Sequence, residues 1–380
     1  MFVDSPKRLD TSAGYIRALP HALRGGRTLG GARTLKRAVV VAAIGTAQTL
    51  AAASSYYLPA ILADPIAEGT GVSRSTVFGI FSASLLFAAM LGPTVGRAVD
   101  RRGGRGLLTI SNLVLAAGLV LLGEARGIVL LSAAWLVLGI GTAMGRYEAA
   151  FATLTGLYGR AARGPITGLT LIAGFASTVS WPLSAFLEAS YGWRNTCLIW
   201  AALQIVVGLP LNRLLIPPAP PPQRSKIGGE ASPEPRWAMP ILAFVFAATG
   251  FVSGAMAAHL PHLLEMAGAS ATIAIATSAL VGPSQVGARL IEFGALRMVH
   301  PLVSARLAAL LHPIGAVILG LMVPGAITAF AVLHGAGNGL LTIAKGTVPL
   351  AIRSVMGCAA VFSARRRARR RPHRRCSSAS

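Results

Sequence analysis

The chain has 380 residues, of which 54% are hydrophobic and 12% charged, where a soluble domain carries roughly 25% charged residues. That excludes an ordinary soluble enzyme. Net charge is +23, but the basic residues are placed against a nucleic-acid role: eight lie in the first 37 positions, eight arginines crowd 365–375, and most others fall in alternate loops. Cys197, Cys358 and Cys376 are too few and too scattered for a disulfide framework or a metal site.

The apolar residues gather into about ten blocks of roughly 20, the length a helix needs to cross a hydrocarbon core about 30 Å thick. The basic N-terminal tail, 1–37, has no apolar run before Ala38, so no cleavable signal is expected. Spans are predicted at 38–63, 76–95, 106–123, 128–150, 165–187, 197–216, 237–258, 270–293, 301–322 and 324–345. Helices are the only form open to them, because lipid-exposed backbone must satisfy its own hydrogen bonds and the blocks are too long for barrel strands. The expected fold class is an all-α polytopic membrane protein.

Basic residues mark one side: the N-terminal tail, Arg97, Arg101, Arg102 and Arg105 in the 96–105 loop, Arg160 and Arg163 in 151–164, and Arg224, Lys226 and Arg236 further on. The opposite loops balance Arg74 with Asp64 and Glu68, Arg126 with Glu124, and Arg194 with Glu188. The positive-inside rule then makes the N-terminus cytoplasmic, with both ends of a ten-helix chain on that side. A multi-pass protein of the cell (inner) membrane is expected, and a monomer.

Residues 217–236, PPAPPPQRSKIGGEASPEPR, cannot span a membrane and form an extended linker. They divide the chain into a six-helix half, 38–216, and a shorter one, 237–350, followed by an Arg-rich segment, 351–380. The run Gly92-Pro93-Thr94-Val95-Gly96-Arg97 is echoed by Gly282-Pro283-Ser284-Gln285-Val286-Gly287-Ala288-Arg289 at a matching place in the second half, as in transporters built from parallel repeats.

The most specific motif runs from Gly96 through Asp100, Arg101 and Gly103 to Arg105. Glycine lets two helix ends approach, Asp100 can cap a helix or pair with arginine, and the basic residues face anionic headgroups. This loop resembles the loop 2–3 signature of the major facilitator superfamily, G-x-x-x-D-R/K-x-G-R-R/K, with Gly104 where a basic residue is usual. Gly192-Trp193-Arg194 before helix 6 is a second recurrent feature of that family. The resemblance covers residues 38 to about 350. It implies a twelve-helix fold, of which this chain supplies six plus four and lacks helices 11 and 12, and it implies a gating role for Gly96, Asp100, Arg101, Gly103 and Arg105.

Within the superfamily the chain looks most like the bacterial monocarboxylate-transporter-like branch, on Val72-Ser73-Arg74-Ser75, Phe78-Gly79, Tyr147-Glu148-Ala149-Ala150-Phe151 and helix 8. A cation inside a span is costly and marks a substrate or ion path. Arg289 is such a cation, and Gln285 shares its helix face at i, i+4. The branch resemblance implies that Arg289 binds a substrate carboxylate, while Gln285 stands where the family has an aspartate. Glu292 or Glu148 would replace that proton site only by facing the cavity. A second reading has Arg289 snorkelling to headgroups.

Arg146 and Glu148 line the path, pair with neighbouring helices or cap the end of helix 4. Tyr56 and Tyr57 donate hydroxyls to an anion or belong to the interfacial belt. Trp181-Pro182 and Gly139, Gly141 and Gly145 are read as kinking and close helix packing. His259 and His262 fall in an outside loop and are read as a solvated pair rather than metal ligands. Neither metal nor cofactor is expected.

The chain is therefore expected to be a secondary active transporter working by alternating access on a small organic anion such as a monocarboxylate, with or without a coupled proton. Drug or metabolite efflux is the alternative, as is an inactive truncated membrane protein. The text after Pro349 changes character, and a neighbouring reading frame from Phe362 can encode an apolar segment. A frameshift there, or a polybasic lipid-binding tail, is the expectation for that region.

Overall fold

The computed structural model describes residues 19–218, 237–294, 301–321 and 325–344, with side chains in the first helix from Lys36 onward. The linker and the 351–380 segment, with the frameshift expected there, lie outside the described residues. Among the described residues every regular element is a helix. They are α1 Leu19–Ser55, α2 Pro59–Thr70, α3 Arg74–Arg102, α4 Gly104–Gly123, α5 Ile128–Gly145, α6 Tyr147–Tyr158, α7 Arg163–Ala173, α8 Ala176–Leu203, α9 Ala238–Met266, α10 Ala271–Ala279, α11 Val281–Gly294 and α12 Pro301–Gly320. A last helix, α13, covers Ala326–Ala344. π-helical turns at Gln204–Gly208 and Leu211–Leu215 extend α8.

Eight helical segments among the described residues are long and apolar enough to cross a membrane. Side chains such as Met90, Val129, Phe244 and Phe251 point outward, 71%, 82%, 73% and 78% exposed, as expected of a surface facing lipid. The longest segment, Gly164–Leu215, is folded back on itself. Residues 16 apart in a continuous helix lie about 24 Å apart, yet the Trp200 indole donates to Ser184 Oγ at 3.1 Å. The reversal is at Gly192, with φ 76° and ψ 165°, a region open essentially to glycine alone.

Arg194, two residues on, donates to the carbonyls of Gly123 at 2.7 Å, Ala125 at 2.8 Å and Gly69 at 3.3 Å. It thereby satisfies acceptors left over where α2 and α4 end.

Glycines set the spacing of α4 and α5. A Cβ at Gly118 or Gly141 would lie 2.8 Å from Leu138 or Leu115, and one at Gly145 would lie 2.7 Å from Ser111 Oγ. Gly139 likewise meets the Ser84 carbonyl of α3, at 2.7 Å. A buried polar chain ties the π-turns to α1 and α4: Gln204 Nε2 donates to Ser54 Oγ at 2.8 Å, Asn112 Nδ2 to Gln204 Oε1 at 2.6 Å, and Asn212 Nδ2 to Asn112 Oδ1 at 2.7 Å.

Several boundaries depart from the sequence expectation. The 96–105 segment is no open loop: α3 continues to Arg102, breaks at Gly103 with φ 77° and ψ 160°, and α4 begins at once. Half of the N-terminal tail is helical, since α1 starts at Leu19. His259 and His262 sit inside α9, not in a loop. His259 packs on Phe78 with ring centroids 4.1 Å apart, and His262 Nδ1 lies 3.6 Å from Glu265 Oε2.

Candidate functional site

Four crossings are interrupted, two of them at prolines. Pro59 has no N–H and its ring collides with the carbonyl four residues back, so α1 ends at Ser55 and the chain turns through Tyr56 and Tyr57 before α2. Pro283 likewise leaves the Ala279 carbonyl without its helical donor, and Thr178 Oγ1 of α8 supplies one at 2.9 Å, at the step from α10 to α11. The third break, between α7 and α8, falls at Gly174 and Phe175. The fourth has no proline: Arg146 is extended, with φ −99° and ψ −173°, between α5 and α6, and Gln48 Nε2 of α1 donates to the Gly145 carbonyl beside it. Irregular backbone at membrane depth is tolerated only inside protein or along a cavity, and broken helices are how transporters expose polar backbone to substrate.

Aromatic side chains fill the space between the breaks. The Tyr56 and Tyr57 rings meet edge to face at 5.3 Å, Tyr57 meets Trp181 in the same way at 5.3 Å, and the Arg146 guanidinium stands 4.1 Å from the centroid of Tyr56. A Cβ at Gly254 of α9 would lie 3.3 Å from the Tyr56 hydroxyl. Both tyrosines are thus interior residues between α1, α8 and α9, not members of an interfacial belt. Glu148 is exposed in the first turn of α6 and acts electrostatically on Tyr56.

Arg289 is 1% exposed, which removes the snorkelling reading. Its guanidinium donates to the Thr170 carbonyl of α7, to Gln285 Oε1 at 3.2 Å, to Thr342 Oγ1 at 3.2 Å and to the Gly339 carbonyl at 3.5 Å. All of these acceptors are neutral. Glycines make the room: a Cβ at Gly174 would lie 2.8 Å from Arg289 Nη1, and one at Gly339 would lie 2.4 Å from the Gln285 carbonyl. Tyr57 lies within electrostatic reach of both Arg146 and Arg289. Gln285 is 7% exposed and Glu292 8%.

The five motif residues sit apart from this site. Arg105 donates twice to the Arg213 carbonyl, at 3.0 and 2.6 Å, closing the end of the Leu211–Leu215 turn onto α4. Asp100 and Arg101 are exposed, and Gly96 ends no helix. A Cβ at Gly104 would fall 1.6 Å from Thr153 Oγ1, so the basic residue usual at that place has no room here.

Sequence reasoning missed Gln48, Thr170 and Thr342. Each is a neutral residue in an apolar helix, and only its long-range partner marks it.

The profile of the Major Facilitator Superfamily matches residues 44–363. Among solved structures, the chain is similar to a bacterial homolog of the human lysosomal transporter Spinster in its inward-facing, unoccupied conformation, with 19% identity, 85% of this chain and 80% of that one covered and a TM-score of 0.55. The occupied form of that protein gives 18%, 83%, 78% and 0.52. A D-xylose-proton symporter gives 14% identity, 84% and 88% coverage and a TM-score of 0.53. No curated protein matches the chain. The superfamily profile spans most of the sequence, the solved structures share the helical fold, and the chain belongs to the Major Facilitator Superfamily.

Proposed function

We propose that the chain is a secondary active transporter of a small organic anion, a monocarboxylate in the simplest case, working by alternating access as a monomer in a cell (inner) membrane with its N-terminus cytoplasmic. The observation that carries the substrate class is Arg289: a fully buried guanidinium whose hydrogen-bond acceptors among the described residues are neutral oxygens. A buried cation without a counter-charge is costly, and a planar carboxylate matches its fork of donors. The anion takes the place of the Thr170 carbonyl at the guanidinium, with Gln285 and Thr342 beside it. Tyr56, Tyr57 and Arg146 form the facing wall, and Glu148 borders it.

Arg289 links helices on the two sides of the linker, so exchanging Thr170 for a bound anion changes a contact between the moving halves. That is the differential interaction a ligand needs to shift a conformational equilibrium. Gly96, Asp100, Arg101, Gly103 and Arg105 would act at a distance, at the end of α3 and start of α4 that must part from its neighbours when that side opens.

The test is uptake of radiolabelled L-lactate into liposomes of phosphatidylethanolamine and phosphatidylglycerol containing the purified chain. Uptake that is saturable and falls about tenfold or more in Arg289→Gln, with partial retention in Arg289→Lys because a point charge replaces a fork, is the expected result. Normal saturable uptake by Arg289→Gln contradicts the assignment.

A further inference from the structure

The helices after the linker hold a second buried polar cluster. His334 of α13 is 3% exposed, its Nε2 lies 2.9 Å from Asn338 Nδ2, and its ring lies 4.9 Å from that of His312 on α12, tilted by 36°. Both ring nitrogens of His312 are buried and have no hydrogen-bond partner among the described protein groups. Gly337 makes the seat, since a Cβ there would lie 2.7 Å from His312 Cε1.

The cluster has two outlets. Ser253 Oγ of α9 donates to Asn338 Oδ1 at 2.5 Å. Thr342 Oγ1 donates to the Asn338 carbonyl at 2.8 Å while accepting from Arg289 Nη2 at 3.2 Å. Polar contacts thus lead from Arg289 through Thr342 to the Asn338 carbonyl, the Asn338 side chain meets His334, and His312 joins through its ring contact with His334.

Two imidazoles packed together between helices, one of them with both ring nitrogens buried and unpartnered among the described residues, need an explanation. Histidine gains and loses a proton near neutral pH. Intramembrane ionisable residues mark ion paths.

We infer that His312 and His334 form a single proton-binding site coupled to the anion site at Arg289. This rests on the anion-transport reading above. One proton from solvent adds to one imidazole nitrogen, converting a neutral pair to a pair of charge +1; like-charge repulsion at this ring separation keeps a second proton off. The same proton leaves to solvent on the other side of the membrane.

With Arg289 unneutralised, protonating the pair places two cations in one half. A bound carboxylate cancels the first, so anion and proton favour each other's binding, reciprocally. Among the described residues His312 is the titratable group facing His334, and Arg289 is next, through Thr342. Glu292 lies one turn beyond Arg289 on α11, Arg306 is exposed on α12, and α9 presents Ser253.

The test is made on the full chain in lipid nanodiscs, with 15N-labelled imidazoles followed by nuclear magnetic resonance as pH is lowered. His312→Gln and His334→Gln assign the signals. Thr342, which Arg289 bonds, lies eight helical residues or about 12 Å along α13 from His334, and at a separation of that order a unit charge at an effective dielectric of about 20 alters proton affinity roughly tenfold. The pair is expected to take up one proton in all, and to bind it about tenfold more tightly in Arg289→Gln, with His259 and His262 unchanged.

Two protons taken up independently, no proton uptake down to about pH 4, or a titration indifferent to Arg289→Gln overturns the inference, whether or not any anion is transported. L-lactate added to the wild-type protein gives the separate answer on the substrate. If lactate neither binds nor enters proteoliposomes, the monocarboxylate reading fails while the histidine titration still decides the proton site.

Discussion

Arg289 of α11 and Gly174 at the end of α7 meet at one backbone oxygen: the Thr170 carbonyl accepts both the Arg289 guanidinium and the Gly174 N–H, the latter at 3.0 Å. A cation from the helices after the linker is thus tied to a helix end belonging to those before it. The absence of a side chain at position 174 is what lets the guanidinium reach that far.

Gly174→Ala tests this directly. Gly174 has φ −62° and ψ −25°, which alanine adopts freely, so no backbone strain is added. The new methyl meets Arg289 Nη1 at 2.8 Å and Val286 Cγ2 at 2.9 Å. Thermal stability in detergent should change by less than about 1 kcal/mol, because alanine is also the better helix former. The KM for lactate should rise severalfold. Unchanged KM would mean that the position of Arg289 does not govern anion binding. Gly282→Ala is the contrast: its methyl falls 2.0 Å from Thr178 Oγ1 and 3.0 Å from the Gly174 carbonyl, and overpacking of this kind typically costs about 1–3 kcal/mol.

Gly192 and Gly103 both adopt positive φ with extended ψ. Alanine at either place should destabilise the protein by about 1–3 kcal/mol, read as a lower melting temperature in detergent. Gly71, with φ 69° and ψ 25° at the end of α2, lies instead in the ordinary left-handed region, so Gly71→Asn should be close to neutral. Equal losses at all three positions would count against a specific role for the Gly192 reversal.

Much of this architecture was legible in the sequence, and the exceptions share a physical reason. Span positions follow from apolar length, Arg289 stands out because a charge in an apolar block is conspicuous, and the break at Tyr56 and Tyr57 is implicit in Pro59. The break at Arg146 carries no such sign: it depends on Gln48, 97 residues away, donating to the Gly145 carbonyl. Gly192-Trp193-Arg194 was recognisable as a motif, but the expected loop reduces to one residue because Arg194 draws three carbonyls together. Likewise the 96–105 segment reads as a loop from its charges, although nothing in it stops a helix before Gly103. Thr170, Thr342 and His334 acquire meaning only when the helices on which they lie are brought together.

The chain of buried amides gives a stability prediction. Gln204→Leu removes the donor to Ser54 and the acceptor for Asn112, leaving buried polar atoms without partners in a space that a Cβ at Gly208 would enter at 2.3 Å from Asn112 Nδ2. A loss of about 1–3 kcal/mol is expected. The double variant Gln204→Leu, Asn112→Leu should recover part of it, since it removes the unpaired Asn112 amide while Asn212 Nδ2 keeps the Leu108 carbonyl, leaving Ser54 as the group without its donor. No recovery would show that the network does not act as a unit.

Tyr56 offers a finer test of the facing wall. Tyr56→Phe keeps the ring under Arg146 and removes only the hydroxyl, so lactate uptake should persist with a modest rise in KM. Tyr56→Leu removes the cation–π contact, worth about 0.5–2 kcal/mol, and should weaken uptake severalfold more. If both variants behave alike, the hydroxyl rather than the ring is the feature that matters.

Equilibrium binding of radiolabelled L-lactate to the purified protein, wild type against Arg289→Gln, tests the central claim without depending on transport direction or coupling ion. Saturable binding that falls about tenfold or more in the variant, with both proteins folded by circular dichroism, is the predicted result. Equal binding by the two proteins would contradict Arg289 as the anion's partner.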